Sequence, residues 1–161
     1  MGNITQSTLK ELLHYCPETG VFTNRVRRGT QPAGAVSGTI DDDGYVRITI
    51  AGKKYRAQRL AFLYMTGAFP DCEVDHEDRV RTNNALGNLR EATTQQNAAN
   101  RVSPPWRKLT KGVTPCGTRY SAGIKVNGKR VHLGVFDTPM AAHERYIEAA
   151  NDAFGEYARA A

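Results

Sequence analysis

Apolar positions along the first hundred residues change period repeatedly, and each change marks an element. Leu9, Leu12 and Leu13 share one face of a helix predicted over Thr8–Tyr15, which Pro17-Glu18-Thr19-Gly20 ends with turn chemistry. Val21-Phe22-Thr23 reads as a strand, and a basic loop from Arg25 to Pro32 and the stretch Gly34 to Gly38 follow. Tyr45-Val46-Arg47-Ile48-Thr49-Ile50 alternates apolar and polar residues as a half-buried strand does; it is entered through the turn Asp41-Asp42-Asp43-Gly44 and leaves through Ala51-Gly52 into Lys53-Lys54-Tyr55-Arg56. Gln58 to Thr66 is an apolar helix stopped at Gly67. The pattern then shortens to a strand at Glu73–His76, a polar turn from Asp78 to Asn84, and a second strand anchored by Leu86 and Leu89. A helix follows, with Thr93 or Thr94 as its N-cap and Asn97 on its first turns. This segment is β-β-α.

After Asn100 the pattern changes again. Val102-Ser103-Pro104-Pro105-Trp106 reads as a stiff extended linker, because consecutive prolines exclude helix. Three strands follow, at Gly112–Pro115, Arg119–Val126 and Lys129–Phe136, with Asn127-Gly128 as a two-residue hairpin turn between the last two. Pro139 then opens a helix that runs through Ala141 to Phe154. Alternation sets Tyr120, Ala122, Ile124 and Val126 on one face of the sheet, where Ala142, Tyr146, Ala149 and Ala150 of the helix can cover them. Arg119, Ser121, Gly123, Lys125, Arg130 and His132 take the other face.

Charge sharpens that division. From Arg107 through Arg130 there are seven Lys or Arg residues and no Asp or Glu, and every acid of this module lies in or just before the helix, from Asp137 onward. A basic sheet backed by an acidic helix is a polarised surface suited to DNA. The whole chain, 161 residues with a formal net charge of +6, favours a polyanionic partner and has room for one ordinary domain or two small ones. Arg25, Arg27 and Arg28 are a further group of guanidinium groups that could hold a DNA backbone, although a solvated loop is equally compatible with them. Cys16, Cys72 and Cys116 lie far apart with no CxxC pair. No zinc knuckle is expected, and a reducing cytoplasm, in a bacterial or phage-infected cell, is the expected setting. No apolar run approaches a membrane span, so no membrane partner is expected.

The chemistry is concentrated between Asp75 and Asn97. Hydrolysis of a phosphodiester needs a base to activate water and a hard cation on oxygen ligands to steady the charge on phosphate and leaving oxygen. His76, Asp75 and Asn97 are residues of those types, with Asn88 twelve positions after His76 and nine before Asn97. Singly each is commonplace: an Asp-His pair is often surface, and Asn83-Asn84 is ordinary turn chemistry. The joint spacing DH-x11-N-x8-N, with Leu89-Arg90 after the middle Asn, is what carries weight.

That segment resembles the HNH endonucleases of the ββα-metal fold, in the variant whose last motif letter is Asn. The resemblance implies His76 as general base, Asp75 and Asn97 as oxygen ligands of one Mg²⁺ or Mn²⁺ ion, and Asn88 as the residue that ties the loop and holds the backbone near His76. Arg90 and Arg101 flank the motif and are expected on a scissile-strand phosphate. One position departs from the family: the preceding helix usually reads Ala-His-Arg-Leu-Ala, and this chain has Ala57-Gln58-Arg59-Leu60-Ala61. Gln58 therefore stands at a catalytic-site position, where an amide can hydrogen-bond but cannot serve as a cation or a near-neutral acid or base.

The second module resembles the AP2 DNA-binding domain through Lys111-Gly112-Val113, Tyr120-Ser121-Ala122-Gly123-Ile124-Lys125, Arg130-Val131-His132-Leu133-Gly134-Val135-Phe136-Asp137-Thr138 and Ala141-Ala142. That family reads the major groove with a three-stranded sheet. The resemblance implies DNA contacts from Lys111, Lys125, Arg130 and His132, and Arg119, on the same basic face by alternation, is expected on DNA as well. His132 replaces a usual Trp, Gly123 a usual acid, and Thr114 an Arg of plant members, which leaves the family's base preference open.

The expected architecture is α+β. It comprises an HNH domain over residues 1–101 with its ββα-metal core at about 71–101, a linker at 102–110, and an AP2-like three-stranded antiparallel sheet packed on one helix at 111–161. The expected activity is metal-dependent cleavage of double-stranded DNA, by a nickase if monomeric, in an arrangement familiar from phage and homing endonucleases; monomer and homodimer both stay open. The alternative is a DNA-binding protein that keeps the nuclease fold but is impaired in cutting, and Gln58 is the feature that favours it. An RNA partner fits less well, because A-form RNA closes the major groove to side chains.

Overall fold

The computed structural model describes residues 4–100 and 108–158, and the chain divides into two compact units between Glu91 and Ala92. The linker expected at Val102–Trp106, together with Arg101 and Arg107, lies outside the described residues. Among the described residues no helix is long and apolar enough to cross a membrane.

The first unit opens with helix α1 (Gln6–Leu12), capped by Thr5, whose side chain accepts from the Thr8 amide. The chain then turns directly into strand β1 (Leu13–Tyr15), antiparallel to β2 (Phe22–Asn24). The helix expected through Tyr15 therefore ends three residues early. Leu13 and Tyr15 are buried on either side of an exposed His14, an alternation of period two that wins over the helical spacing of Leu9, Leu12 and Leu13 once β2 supplies a partner. β3 (Thr39–Ile40), β4 (Val46–Ile50) and β5 (Lys53–Arg56) form an antiparallel sheet in that order. On β4, Ile48 and Ile50 turn inward while Thr49 is exposed and Arg47 half-buried.

α2 (Ala57–Thr66) ends at Gly67 in the left-handed conformation, as its sequence predicts. Leu60, Ala61 and Leu63 of α2 join Leu9, Leu13, Tyr15, Phe22 and Ile48 in one core. β6 (Glu73–His76) and β7 (Leu89–Ala92) then form a two-stranded sheet. Leu86, expected in the second of these strands, sits instead in a short 3₁₀ turn over Leu86–Asn88, and the strand begins at Leu89.

The second unit contains α3 (Thr94–Asn100), strands β8 (Val113–Cys116), β9 (Arg119–Val126) and β10 (Lys129–Phe136), and α4 (Pro139–Phe154). Thr93 caps α3 through a reciprocal box: its hydroxyl accepts from the Gln96 amide at 3.2 Å, and Gln96 Oε1 accepts from the Thr93 amide at 2.8 Å. The helix carrying Asn97 groups with this unit, ten residues ahead of the expected end of the first domain. Two tethers inside the unit explain why. Lys111 Nζ donates to the carbonyls of Ala98 and Ala99 at the end of α3, at 2.7 and 2.6 Å, and Gln95 Oε1 accepts from the Asn127 amide at 3.0 Å.

The three strands are antiparallel in the order β10-β9-β8, and α4 packs on one face, with Thr138 as its N-cap. Ala122 and Ile124 meet Ala142, Tyr146 and Ala150, as the alternation predicts. β10 does not keep strict alternation. Its pairing with β9 slips between His132 and Gly134, so Leu133 is the extra residue of a bulge. The slip lets Leu133 and Phe136 both pack against the helix side, where an unbroken strand would turn one of them outward. Arg130 stays opposite Lys125 and His132 opposite Gly123, and Lys125, Arg130 and His132 are all exposed.

Candidate active site

Local turn chemistry builds the site around His76. β6 ends on His76, and the chain reverses at once: the Arg79 amide donates to the His76 carbonyl at 3.1 Å, with Arg79 held at a φ of 66°. A side chain pays strain in that left-handed region, so the turn persists only because its surroundings over-determine it. They do so through Asp78 and Asn88. Asn88 Oδ1 accepts from the Asp78 amide at 3.0 Å, and Asn88 Nδ2 donates to Asp78 Oδ1 at 2.9 Å and to the Asn83 carbonyl at 2.8 Å. Asp78 Oδ2 accepts from Asn83 Nδ2 at 2.7 Å, and its other oxygen accepts from the Val80 amide at 2.8 Å. Burial opposes ionisation of Asp78, but these hydrogen bonds and the nearby His76 outweigh it and hold the carboxyl below its ordinary value. Asn88 thus joins both ends of the polar turn, and its carbonyl accepts from the Glu77 amide at 2.9 Å, next to His76.

His76 itself is buried, and its Nε2 lies 3.2 Å from Asn84 Oδ1. The orientation of Asn84 settles the tautomer. Asn84 Nδ2 donates to the Thr82 carbonyl at 3.2 Å, so the amide oxygen faces the ring and the imidazole must donate from Nε2. In the neutral ring the basic lone pair is then on Nδ1. Burial pushes the His76 pKa down from its ordinary value of 6.5; the hydrogen bond that the ring donates to Asn84 and the charges of Asp78 and Asp75 oppose that shift, and Arg81 adds to it. The net result is an imidazole that is neutral at physiological pH, the state a general base needs.

Asn84 is almost fully buried and is fixed from behind by its own backbone. Its carbonyl accepts from the Tyr15 hydroxyl at 2.7 Å, and Gly20 lies so close that a Cβ there would fall 2.1 Å from the Asn84 carbonyl carbon. The Tyr15 phenol is pushed up to about 12 by burial and by its acidic neighbours Cys16 and Glu18, which keeps it a donor. Asn84, Asp78 and Tyr15 were not candidates from sequence. Asn83-Asn84 reads as a pair of turn residues, and nothing in the sequence distinguishes the exposed-looking turn from one whose second Asn is interior. An Asn84→Asp chain keeps an oxygen beside Nε2 but adds negative charge. The acid limb of its cleavage pH profile is expected to move to higher pH, because a carboxylate at that distance favours imidazolium. Unchanged limbs would remove Asn84 from the role of positioning His76.

Asp75 precedes His76 on β6 and is buried, with Arg90 of β7 donating to its Oδ2 from Nε at 3.2 Å and Nη2 at 3.1 Å. Arg90, expected on a scissile-strand phosphate, is engaged with the carboxylate in the folded chain. Tyr45 lies beside the site, with ring centroids 6.0 Å from His76, and carries the guanidinium groups of Arg56 and Arg81 over its own ring at 4.1 and 4.9 Å. Gln58 is buried at the start of α2, and its Oε1 has no hydrogen-bond partner among the described residues. Asn97 stands on α3, within the second unit, with its amide donating to the Thr93 carbonyl at 2.9 Å. Lys111, expected on DNA, caps α3, and Arg119 pairs with Asp137 at 2.7 Å. Arg101 lies outside the described residues.

Within the first unit, Asp75 beside His76 presents a carboxylate, a ligand type that hard divalent cations prefer. Among the described residues no three or more His, Cys, Asp or Glu side chains cluster so as to hold a metal ion.

Residues 55–99 match the family model described as HNH endonuclease. The matched stretch runs from β5 to α3 and contains Gln58, Asp75, His76, Asn88 and Asn97. Over 108 residues, 66% of its length, the chain is 32% identical to an uncharacterized HNH endonuclease of Acanthamoeba polyphaga mimivirus, of which the match covers 57%. It is also similar, at 26% identity and a TM-score of 0.41, to a solved structure described as DNA binding and cleavage by the HNH homing endonuclease I-HmuI, over 55% of this chain and 50% of that one. The chain therefore spans only 50 to 57% of the length of the known proteins it matches here. The family match and the mimivirus relative support an HNH endonuclease domain in this chain.

Proposed function

We propose that this protein is a metal-dependent DNA endonuclease that acts through His76 and is targeted by the basic sheet of its second unit. The observation that carries the reading is the tautomer of His76: a buried, neutral imidazole whose Nε2 is committed to Asn84 and whose basic lone pair is therefore on Nδ1. That arrangement serves to take a proton from water attacking phosphorus. Asp75, with the Asn97 that the sequence motif assigns, would hold Mg²⁺ or Mn²⁺, which when bound neutralises charge on the phosphate and the leaving oxygen. Asn88 and Asp78 keep the backbone after His76 from relaxing, which holds the ring in position. Lys125, Arg130 and His132, exposed on one face of the β9–β10 hairpin, are placed to meet a duplex in the manner of the AP2 domain that the sequence resembles. A tethered reader raises the effective concentration of the nuclease on DNA without any contact at the scissile bond.

Gln58 favours a second reading. A buried amide oxygen with no partner among the described residues, at a position where the family has His, suits a chain that binds DNA but cuts poorly. One experiment separates the two. Supercoiled plasmid is incubated with the chain and with its Gln58→His variant, in Mg²⁺, in Mn²⁺ and in EDTA. Nicking or linearisation by the chain itself, abolished by EDTA, is the expected result. Cleavage by the Gln58→His protein alone would establish a disabled nuclease, and cleavage unaffected by EDTA would overturn the metal assignment.

A further inference from the structure

We propose that a cleft in the first unit, lined by Arg28, Arg47 and residues of β3 and β4, binds a backbone phosphate of duplex DNA away from the catalytic residues. The cleft has a volume of about 240 Å³ and includes the polar side chains of Asn24, Gln31, Ser37 and Thr39 together with the two arginines. No Asp or Glu lines it among the described residues. The two arginines differ in one respect that decides the matter. Arg47 has a carboxylate, Asp41, at 2.5 Å. Arg28 has neutral acceptors only: Ser37 Oγ at 2.9 Å, Asn24 Oδ1 at 3.3 Å, and the Thr49 carbonyl.

Three of the five N–H donors of Arg28 are used in this way, and two are left for an anion. Partial burial pulls its pKa down, yet an arginine side chain stays protonated in proteins, so the half-buried guanidinium keeps a charge that no acid among the described residues pairs with. A phosphate oxygen pair supplies that balance, and the guanidinium fork matches it. The cleft is also built before any ligand arrives. Asn24 is buried and oriented by its Nδ2 donating to the Pro32 carbonyl at 3.5 Å, which turns Oδ1 toward Arg28. Arg28 and Gln31 exchange backbone hydrogen bonds at 2.9 and 3.1 Å, and the Ser37 amide donates to the Phe22 carbonyl at 2.8 Å. Neighbouring Arg25 and Arg27 are exposed and donate to nearby carbonyls of Lys10 and Gly29, so within the basic loop only Arg28 is fixed in a cleft.

The ligand named here follows from the DNA substrate proposed above, so the test is arranged to separate the two claims. Binding of a fluorescent duplex to the full chain is followed by anisotropy in EDTA over a range of salt concentrations, for the unaltered protein, Arg28→Gln and Gln31→Glu. Gln31→Glu is the decisive variant, since it puts a negative charge in the cleft while leaving the tethers of Arg28 intact. Both substitutions are expected to weaken binding roughly tenfold and to lower the slope of log affinity against log salt by about one, as loss of one phosphate contact does. Thermal unfolding of the two variants shows whether either loss is one of folding. A Gln31→Glu protein that is folded and binds with unchanged affinity and slope overturns the cleft assignment. Absence of plasmid cleavage by the unaltered chain, with duplex binding and its dependence on Gln31 preserved, would instead remove the nuclease reading and leave the phosphate cleft standing.

Discussion

Replacing His76 with alanine is expected to slow cleavage by about two to four orders of magnitude, the usual contribution of a positioned general base, while duplex binding in EDTA stays close to that of the unaltered protein. The position of the ring proton sets this loss. Asn84 accepts from Nε2, so the basic lone pair of the neutral ring is on Nδ1, and alanine supplies no substitute. A single-turnover rate at saturating DNA and metal is the measurement, and a rate within a fewfold of the unaltered protein would end the assignment of His76.

The same residue gives the pH dependence a sign. Burial lowers the His76 pKa below 6.5, so the base is already unprotonated where an exposed histidine would be half charged. Cleavage is therefore expected to persist below pH 6.5 and to fall only as pH drops through the lowered value. Stability follows the same direction. The unfolded chain binds a proton at this residue more readily than the folded one, so stability rises with pH across the interval between the two pKa values. The contribution is fully present above 6.5 and is lost as pH falls toward the folded value. A chain with alanine at 76 should show a flatter dependence of unfolding on pH in that interval.

The second large effect is expected at a residue with no polar side chain. Gly20→Ala should destabilise the first unit by about 2–4 kcal/mol, from left-handed backbone strain together with a direct steric conflict. Gly20 has a φ of 72°, and a Cβ there would fall 2.1 Å from the Asn84 carbonyl carbon and 2.3 Å from the Ala85 nitrogen. Gly52→Ala separates the two contributions. Its φ of 77° imposes similar backbone strain, but no atom lies within 4 Å of the added carbon. Thermal unfolding is expected to place Gly20→Ala about 10 °C or more below the unaltered protein and Gly52→Ala much nearer to it. Equal shifts would mean that strain alone acts and that Gly20 does not support the backbone of Asn84. Because that backbone carries the partner of His76, the Gly20 variant should also lose cleavage at temperatures where it remains folded.

Much of the chain could be read from its side-chain order, for a physical reason: periodicity reports which positions are buried, and burial selects the element. The alternation over Tyr45–Ile50, the Gly67 stop, Asn127-Gly128 and Pro139 all correspond to elements of the structure. The stretch from Leu13 to Tyr15 did not, because three residues are compatible with either period and the pairing of β1 with β2 decided between them. The bulge at Leu133 was equally invisible, since it arises from fitting two apolar side chains against one helix.

The candidate site divides in the same way. The residue types and spacing of Asp75, His76, Asn88 and Asn97 are properties of the sequence alone, and it is their resemblance to the HNH motif that points to phosphodiester chemistry. Which nitrogen of His76 carries the proton was decided by tertiary structure, because it depends on Asn84, Thr82 and Tyr15 meeting across up to 69 positions of chain. The engagement of Arg90 with Asp75 and of Lys111 with the end of α3 came from the same source. Charge is written in the sequence, but a partner is chosen only when folding sets the distance.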